Sequence, residues 1–208
     1  AADITAPGFV PLVRARMSTI NDEDVKEREY PVEDGRWMAN REANLTWAES
    51  LSSSNELVEG EWWEADYQGP PLVSVEEEAA TEMGVGIGDR LKFLIAGQEI
   101  ELTIASLRRI NWDSFQPNFF MVLSPNALEG YPATFVASLR IAQAQKNVLL
   151  TLVRTHPTVS VIDLDVILEQ VKSIMDKASL AVQAVFIFTL AAGIAVLFAA
   201  VQSTIDER

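Results

Sequence analysis

Residues 178–205 read ASLAVQAVFIFTLAAGIAVLFAAVQSTI, without one charged side chain. As a helix this stretch spans roughly 42 Å at about 1.5 Å per residue, against a bilayer hydrocarbon core of about 30 Å. Its centre, Ala184 to Val201, is broken only by Thr189 and Gly193, and 12 Leu, Ile, Val or Phe residues lie between Leu180 and Val201. At about −0.3 to −0.6 kcal/mol each near the bilayer centre, these contribute roughly −4 to −7 kcal/mol towards insertion. A surface helix of a soluble protein shows a polar face at 3.6-residue spacing, and this one has none. The competing reading is a helix buried inside a large soluble core. The sequence predicts a globular part joined to a transmembrane helix.

Working back from the span, Ile167, Val171, Ile174 and Ala178 fall at i, i+4, i+7 and i+11, one continuous stripe. Asp165 is placed to cap a helix starting at Val166. No Pro follows, and Gly193 is the only later Gly. The expectation is one helix over 166–205, with the span at about 180–202, and 206–208 beyond it. Its first third would lie on the globular part and act as a lever. Lys172 and Lys177 precede the span and Arg208 follows it, so flanking charge does not fix the orientation.

Upstream of the lever the pattern reads strand (Thr134–Ile141), helix (Gln143–Thr155, with Val148, Leu149, Leu152 and Val153 on one face) and strand (Thr158–Ile162). This β-α-β order belongs to an α+β layer. The block 37–132 is mostly β. Strand candidates are Arg41–Trp47, Leu57–Trp63 and Phe119–Leu123, with a hairpin of Leu91–Ile95 and Ile100–Ile110 around Ala96-Gly97-Gln98. One short helix, Val75–Met83, has acids in its first turn and Gly84 as its stop. Phe9–Met17 reads as a strand with Pro11 near its start, and Asn21–Glu29 as a charged loop.

Composition narrows the function. The 208-residue chain has a net charge of −14, which argues against nucleic acid and anionic lipid headgroups as partners. It has no cysteine, so thiol catalysis, Fe–S clusters and disulfide scaffolds are excluded. The opening AADITAPGF is not a signal peptide. It lacks an initiator Met, and both ends read as cut, which suggests a piece of a larger membrane protein.

Candidate sites are sparse. Gly84-Val85-Gly86-Ile87-Gly88 follows a helix and precedes a strand, the reverse of a dinucleotide-binding turn, and lacks the GxGxxG spacing. It reads as a connecting turn. His156 is the single histidine, and without Cys or other His it cannot build a His-rich zinc site. The carboxylates of Asp22-Glu23-Asp24 and Glu76-Glu77-Glu78 lack EF-hand spacing and read as solvated faces. No catalytic residue, cofactor or metal is expected. Five tryptophans are present: Trp37, Trp47, Trp62, Trp63 and Trp112. Either they build the core of a small β-rich lobe, or some form a partner or substrate surface. Read as neighbours on a strand, Trp62 and Trp63 point to opposite faces, leaving one of them available. Asn44-Leu45-Thr46 is a formal glycosylation sequon that falls within a predicted strand.

Taken in order, several segments resemble one family. They are Val13-Arg14-Ala15-Arg16, Arg41-Glu42-Ala43-Asn44-Leu45-Thr46-Trp47, Glu59-Gly60-Glu61-Trp62-Trp63, Val75-Glu76, Val85-Gly86-Ile87-Gly88-Asp89 and Pro117-Asn118-Phe119-Phe120. Together with the terminal span they are similar to the extracytoplasmic, MacB-like periplasmic domain and following membrane helix of FtsX-like ABC-transporter permeases. The likeness is greatest to bacterial permeases with two such halves in one chain.

The resemblance implies an α+β fold: a split β-α-β subdomain formed by 1–36 and 133–165, with 37–132 as a β-rich inserted lobe. The first membrane helix, first strand and first helix of that subdomain would lie upstream. It implies a cytoplasmic ATPase as partner through the rest of the permease, and a permease dimer or pseudo-dimer. The globular part would sit on the periplasmic side of a bacterial inner membrane. ATP-driven motion would pass outward to an extracytoplasmic protein or lipid-like substrate. The coupling lever would be Ile167, Val171, Ile174 and Ala178, and Trp62 and Trp63 a partner or substrate surface. Two other classes compete: a membrane-anchored binding or adaptor module without an ATPase, and a tail-anchored hydrolase.

Overall fold

The computed structural model describes residues 8–114, 116–139, 141 and 147–206. The chain divides into two units, Ala1–Arg140 and Ile141–Arg208.

The first unit is built on β1 (Val10–Ile20), β2 (Glu23–Asp24), α1 (Glu33–Asn40), β3 (Glu42–Trp47), β4 (Asn55–Gly60), β5 (Leu72–Glu76), α2 (Glu77–Met83), β6 (Arg90–Ile95), β7 (Gln98–Ile110), β8 (Met121–Leu123) and β9 (Thr134–Val136). Six strands close on themselves. β1 pairs with β3 and with β6, β3 with β8, β8 with β5, β5 with β7, and β7 with β6. Two of these pairs, β3/β8 and β5/β7, are parallel, and the other four are antiparallel. Closure consumes strand edges that would otherwise present unpaired amides and carbonyls. The alternation of β7, with Ile100, Leu102, Ile104, Ser106, Arg108 and Ile110 buried, points every second residue inwards. Val13, Leu45, Val73, Phe93, Leu102 and Leu123 meet inside, all at 0–1% exposure.

Local signals place the turns. The β6–β7 hairpin expected around Ala96-Gly97-Gln98 forms with a tighter, two-residue turn, because Gln98 already belongs to β7. Ala96 and Gly97 both have positive φ, 49° and 86°, and Ile95 pairs with Gln98. Positive φ at both central residues gives the turn whose twist suits a hairpin. Helix α2 starts later than expected, because Val75 and Glu76 finish β5. The Glu76 carboxylate then accepts from Ala79 N at 2.7 Å, satisfying a first-turn amide. Gly84, at φ 65°, closes the helix in the left-handed region. Helix α1 was not expected. It packs on α2 through Gly35, where an added Cβ would lie 2.0 Å from the Glu82 carbonyl oxygen. Only glycine allows that approach.

Strand β1 is shared between two neighbourhoods. Val10–Leu12 pair with β9, while Val13–Arg16 pair with β3 of the closed ring. The strand expected over 134–141 is confined to Thr134–Val136, and that over 119–123 to Met121–Leu123.

The second unit holds α3 (Asn147–Thr155) and α4 (Leu164–Asp206). Residues 143–146 of the expected helix 143–155 lie outside the described residues. Thr158–Ile162, expected as a strand, is irregular chain. A strand needs a neighbour for its ladder, and no described strand pairs with this segment. α4 runs 43 residues without a break. It begins at Leu164 rather than Val166, with the Asp163 carboxylate accepting the Asp165 amide at 3.1 Å. Leu164–Ile194 is long and apolar enough to cross a membrane, and none of its most apolar window is buried. Thr189, the polar residue in its centre, donates its hydroxyl to the Phe186 carbonyl at 2.9 Å. That bond satisfies the hydroxyl within the helix itself, as a hydrocarbon environment requires.

Candidate functional site

A cleft of about 630 Å³ opens in the first unit where β3 and β8 end and β1 begins. That volume falls within the roughly 300–1,000 Å³ typical of small-molecule sites. Strand β3 supplies Thr46 and Trp47, and the chain after it supplies Ala48, Ser50 and Ser52. Asn55 comes from the start of β4, Trp62 from beyond its end, and Gln116–Phe119 from the connection before β8. Val10, Val122 and Leu139 complete the apolar part of the lining. No lining residue carries a formal charge.

The tryptophan pair does not behave as strand neighbours. β4 ends at Gly60, so Trp62 and Trp63 lie in irregular chain and are not forced to opposite faces. Their ring centroids are 4.2 Å apart at 32°. Trp63 is buried and donates Nε1–H to the Ala48 carbonyl at 2.8 Å. Trp62 is half-buried, donates to the Glu49 carbonyl at 3.3 Å, and lines the cleft. Trp47 packs against the core and also lines the cleft. Trp37 and Trp112 are exposed. Trp37 is covered on one face by the Arg41 guanidinium, 4.5 Å from its centroid, and Trp112 leans on Phe120 at 5.1 Å. The five tryptophans thus divide between core, cleft and outer surface.

A hydrogen-bonded wall holds the polar side of the cleft. Ser54 Oγ donates to Asn118 Oδ1 at 3.1 Å, and Asn118 Nδ2 donates to Ser114 Oγ at 3.1 Å. Ser52 Oγ donates to Gln116 Oε1 at 3.3 Å. The Asn111 amide donates to the Ser54 carbonyl at 2.9 Å. These bonds tie Ser52-Ser53-Ser54-Asn55 to a segment 64 residues later. Among the described residues, two buried side-chain oxygens of the lining are left over. Thr46 Oγ1 and Asn55 Oδ1 are buried without a protein partner, and Thr46 as a whole is 3% exposed.

Beneath the wall lies Arg108, fully buried on β7. Its Nη2 donates to the Phe119 carbonyl, while Nε and Nη1 have no protein partner. Burial lowers its pKa to about 10, against a smaller upward pull from Glu76. Arg108 and the Glu76 amide, which donates to the Phe120 carbonyl at 2.8 Å, pin the chain leading into β8. Both residues therefore position the cleft wall.

Of the residues singled out from sequence, Trp62 and Trp63 come together. Ile167, Val171, Ile174 and Ala178 lie along α4 in the other unit, all exposed. His156 is exposed. The glycine run 84–88 is a helix-to-strand turn in which Asp89 Oδ2 accepts the Gly86 amide at 2.7 Å. Among the described residues no three His, Asp or Glu side chains converge as a metal set. Sequence reading missed Thr46, Asn55 and the Ser54–Asn118 bond. The signals were the serine run before Asn55 and the segment Pro117-Asn118-Phe119-Phe120, but nothing in either shows that they meet.

No family model matches the chain. One solved structure, a domain assigned to a permease protein from Porphyromonas gingivalis, is similar over 76% of this chain and 66% of its own. At 15% identity and a TM-score of 0.33 it carries no argument. The sequence comparison is stronger: the chain is 33% identical over 208 residues to a protein of Escherichia coli (strain K12) named "Uncharacterized ABC transporter permease YbbP". The chain spans about a quarter (24%) of that relative's length, and along 99% of its own it is similar to an ABC transporter permease.

Proposed function

We propose that this chain is the extracytoplasmic part and following membrane helix of an ABC-transporter permease of the FtsX-like, MacB-related kind. In this reading it passes ATP-driven motion of a cytoplasmic partner ATPase to work on a substrate or partner outside the membrane. The carrying observation is the 33% identity to an ABC transporter permease along 99% of the chain. The unbroken 43-residue α4 supports the coupling step. An uninterrupted helix is stiff along its axis, so displacement of its apolar end reaches its polar end.

The residues take these roles. Ile167, Val171, Ile174 and Ala178 form the lever face, and the uncharged remainder of α4 crosses a bacterial inner membrane. Residues 1–36 and 133–165 form a split subdomain around the 37–132 lobe. The pairing of Val10–Leu12 with β9 supports this, since it joins the two ends of that split. The cleft beside Trp62 and Trp63 handles substrate or partner, and the complete permease works as a dimer or pseudo-dimer.

Breaking the lever tests the reading. A proline near Ser173 costs about 3 kcal/mol in a helix interior, and an inserted Gly-Gly about 1 kcal/mol per glycine relative to Ala. In the complete permease, ATP hydrolysis should persist while the outside activity falls in a complementation assay. Wild-type complementation by the interrupted lever would reduce α4 to a tether.

A further inference from the structure

We infer that the cleft between β3, the Trp62 segment and the 116–119 connection binds a neutral, hydroxyl-bearing ligand of the saccharide type. This deepens the permease reading by giving the outer unit's substrate-handling surface a chemical class.

The lining decides the class by elimination. No residue of the cleft is ionisable, in a chain of net charge −14. An anion would find no cation to pair with and would meet an unfavourable overall field. A cation would find no carboxylate in the cleft to pair with. A purely apolar ligand such as an acyl chain would strip water from the accessible serine and amide groups of the lining without replacing its hydrogen bonds. An extended peptide recognised by strand addition needs an open strand edge. β8 covers one edge of β3 and β1 covers the other as far as Leu45, which leaves open only Thr46 and Trp47 on one side, too short a run for strand addition.

What remains is a ligand with neutral polar groups and an apolar face. Trp47 and Trp62 supply aromatic surface, against which the C–H face of a sugar ring packs. Most polar groups of the wall are already engaged: Asn118 by Ser54 and Ser114, and Ser52 by Gln116. Among the described residues of the lining, the buried oxygens left unengaged are Thr46 Oγ1 and Asn55 Oδ1. Both accept hydrogen bonds, and the threonine hydroxyl can also donate. Buried acceptors without partners are uncommon and costly. Both oxygens are closed to solvent in the unliganded cleft, so a ligand hydroxyl reaches them when the side chains over them turn aside, and it then relieves that cost. The engaged wall keeps the site preformed, so little ordering entropy is spent on binding.

The test uses the full chain in phosphatidylcholine nanodiscs, because glycoside detergents would compete for the site. Cellobiose, maltose and N,N′-diacetylchitobiose are titrated by calorimetry, with digalacturonic acid and 1-decanol as the charged and apolar comparisons. At least one neutral disaccharide should bind saturably, with Kd on the order of 1 mM or tighter. Thr46→Val keeps the side-chain shape and removes the unpartnered hydroxyl. It should weaken binding by up to roughly tenfold while leaving the melting temperature unchanged or higher. Trp62→Ala should also weaken binding. If that variant does not fold, Thr46→Val alone decides. No saturable binding by any of the three sugars overturns the inference. So does equal or tighter binding of digalacturonic acid or decanol, or sugar binding that is unchanged in Thr46→Val. These outcomes are separable from the permease reading: failure to bind sugar leaves the lever experiment untouched, and a silent lever leaves sugar binding untouched.

Discussion

Strand β7 and helix α4 are both rich in apolar residues, and they treat them in opposite ways. Along β7, Ile100, Leu102, Ile104 and Ile110 turn inwards and their neighbours outwards. Along α4, Leu180, Val185, Phe186, Phe188 and Ile194 are each at least 60% exposed, on every side of the helix. The sheet finds its apolar partners within the chain, by closing six strands into a ring. Among the described residues the helix leaves its most apolar window unburied, and its Thr189 hydroxyl turns back onto its own backbone. The difference separates apolar surface that folding removes from water from apolar surface that requires another solvent. A bilayer is the solvent that fits its length.

Removing the helix should break this contrast most completely. Ending the chain before Ala178 should give a monodisperse, folded protein in plain buffer, whereas the full chain should need detergent or lipid. Gel filtration with and without detergent reads the outcome. Aggregation of the truncated form, with the intact chain monodisperse in buffer, would make α4 a soluble core helix. Phe188→Arg offers a graded version. A charge at the centre of a span costs about 2.5–3.5 kcal/mol of insertion, and the inserted fraction in a glycosylation-mapping assay should fall accordingly.

The same substitution placed in each region sharpens the comparison. Phe93 is 0% exposed inside the ring, and Phe186 is 70% exposed on α4. Phe93→Ala should destabilise the first unit by about 3–5 kcal/mol, combining lost burial with a cavity. Phe186→Ala should change that unit's stability by less than about 0.5 kcal/mol. Denaturant curves followed by tryptophan fluorescence measure both, and equal losses would contradict the division between the two regions.

How far the sequence revealed these features follows from how local their causes are. The Ala96-Gly97 turn, the Gly84 stop and the uncharged run of α4 depend on residues within a few positions, and all three were legible. Helix α1 was not. It buries only Gly35 and Ala39, and Val32 offers no capping side chain, so neither apolar periodicity nor a cap marks it. The sequence shows the ring's strands but not its closure, because the parallel pairs β3/β8 and β5/β7 join distant segments. The alternation of Thr158–Ile162 looked like a strand, yet alternation without a partner does not make one. Trp62 and Trp63 are not strand neighbours, because β4 stops at Gly60, and nothing local in the sequence marks that end. The cleft was the least legible feature. Its wall depends on bonds between side chains 64 positions apart, such as Ser54 to Asn118, and on two oxygens whose lack of partners only packing reveals.

The smallest expected effect is electrostatic, and it also separates the two regions. At the rim of the ring, Asp22 sits in the β1–β2 turn at φ 67°, with Oδ1 2.5 Å from Lys92 Nζ and Oδ2 2.5 Å from Arg90 Nη2. The Lys92 hydrogen bond, helped by Arg90, holds the Asp22 carboxyl below its ordinary value of 3.8. Asp22 and Glu101 together raise Lys92 above 10.5. A depressed carboxyl stabilises the fold above its unfolded pKa, and that contribution is lost as the pH falls through the depressed native value. A raised lysine stabilises below its unfolded pKa, and that contribution is lost as the pH rises through the raised native value. The cluster should therefore give a small plateau of extra stability between acid and alkali. Asp22→Asn removes the ion pairs while keeping a residue that tolerates positive φ, so backbone strain does not confuse the result. The melting temperature of Asp22→Asn should lie slightly below the parent at neutral pH. The gap should close at both pH extremes and in high salt, because these groups face water. No ionisable side chain lies between 178 and 205, so the apolar run of α4 should contribute no pH dependence of its own. A gap that persists unchanged in strong acid would place its cause in the turn's backbone and not in its charges.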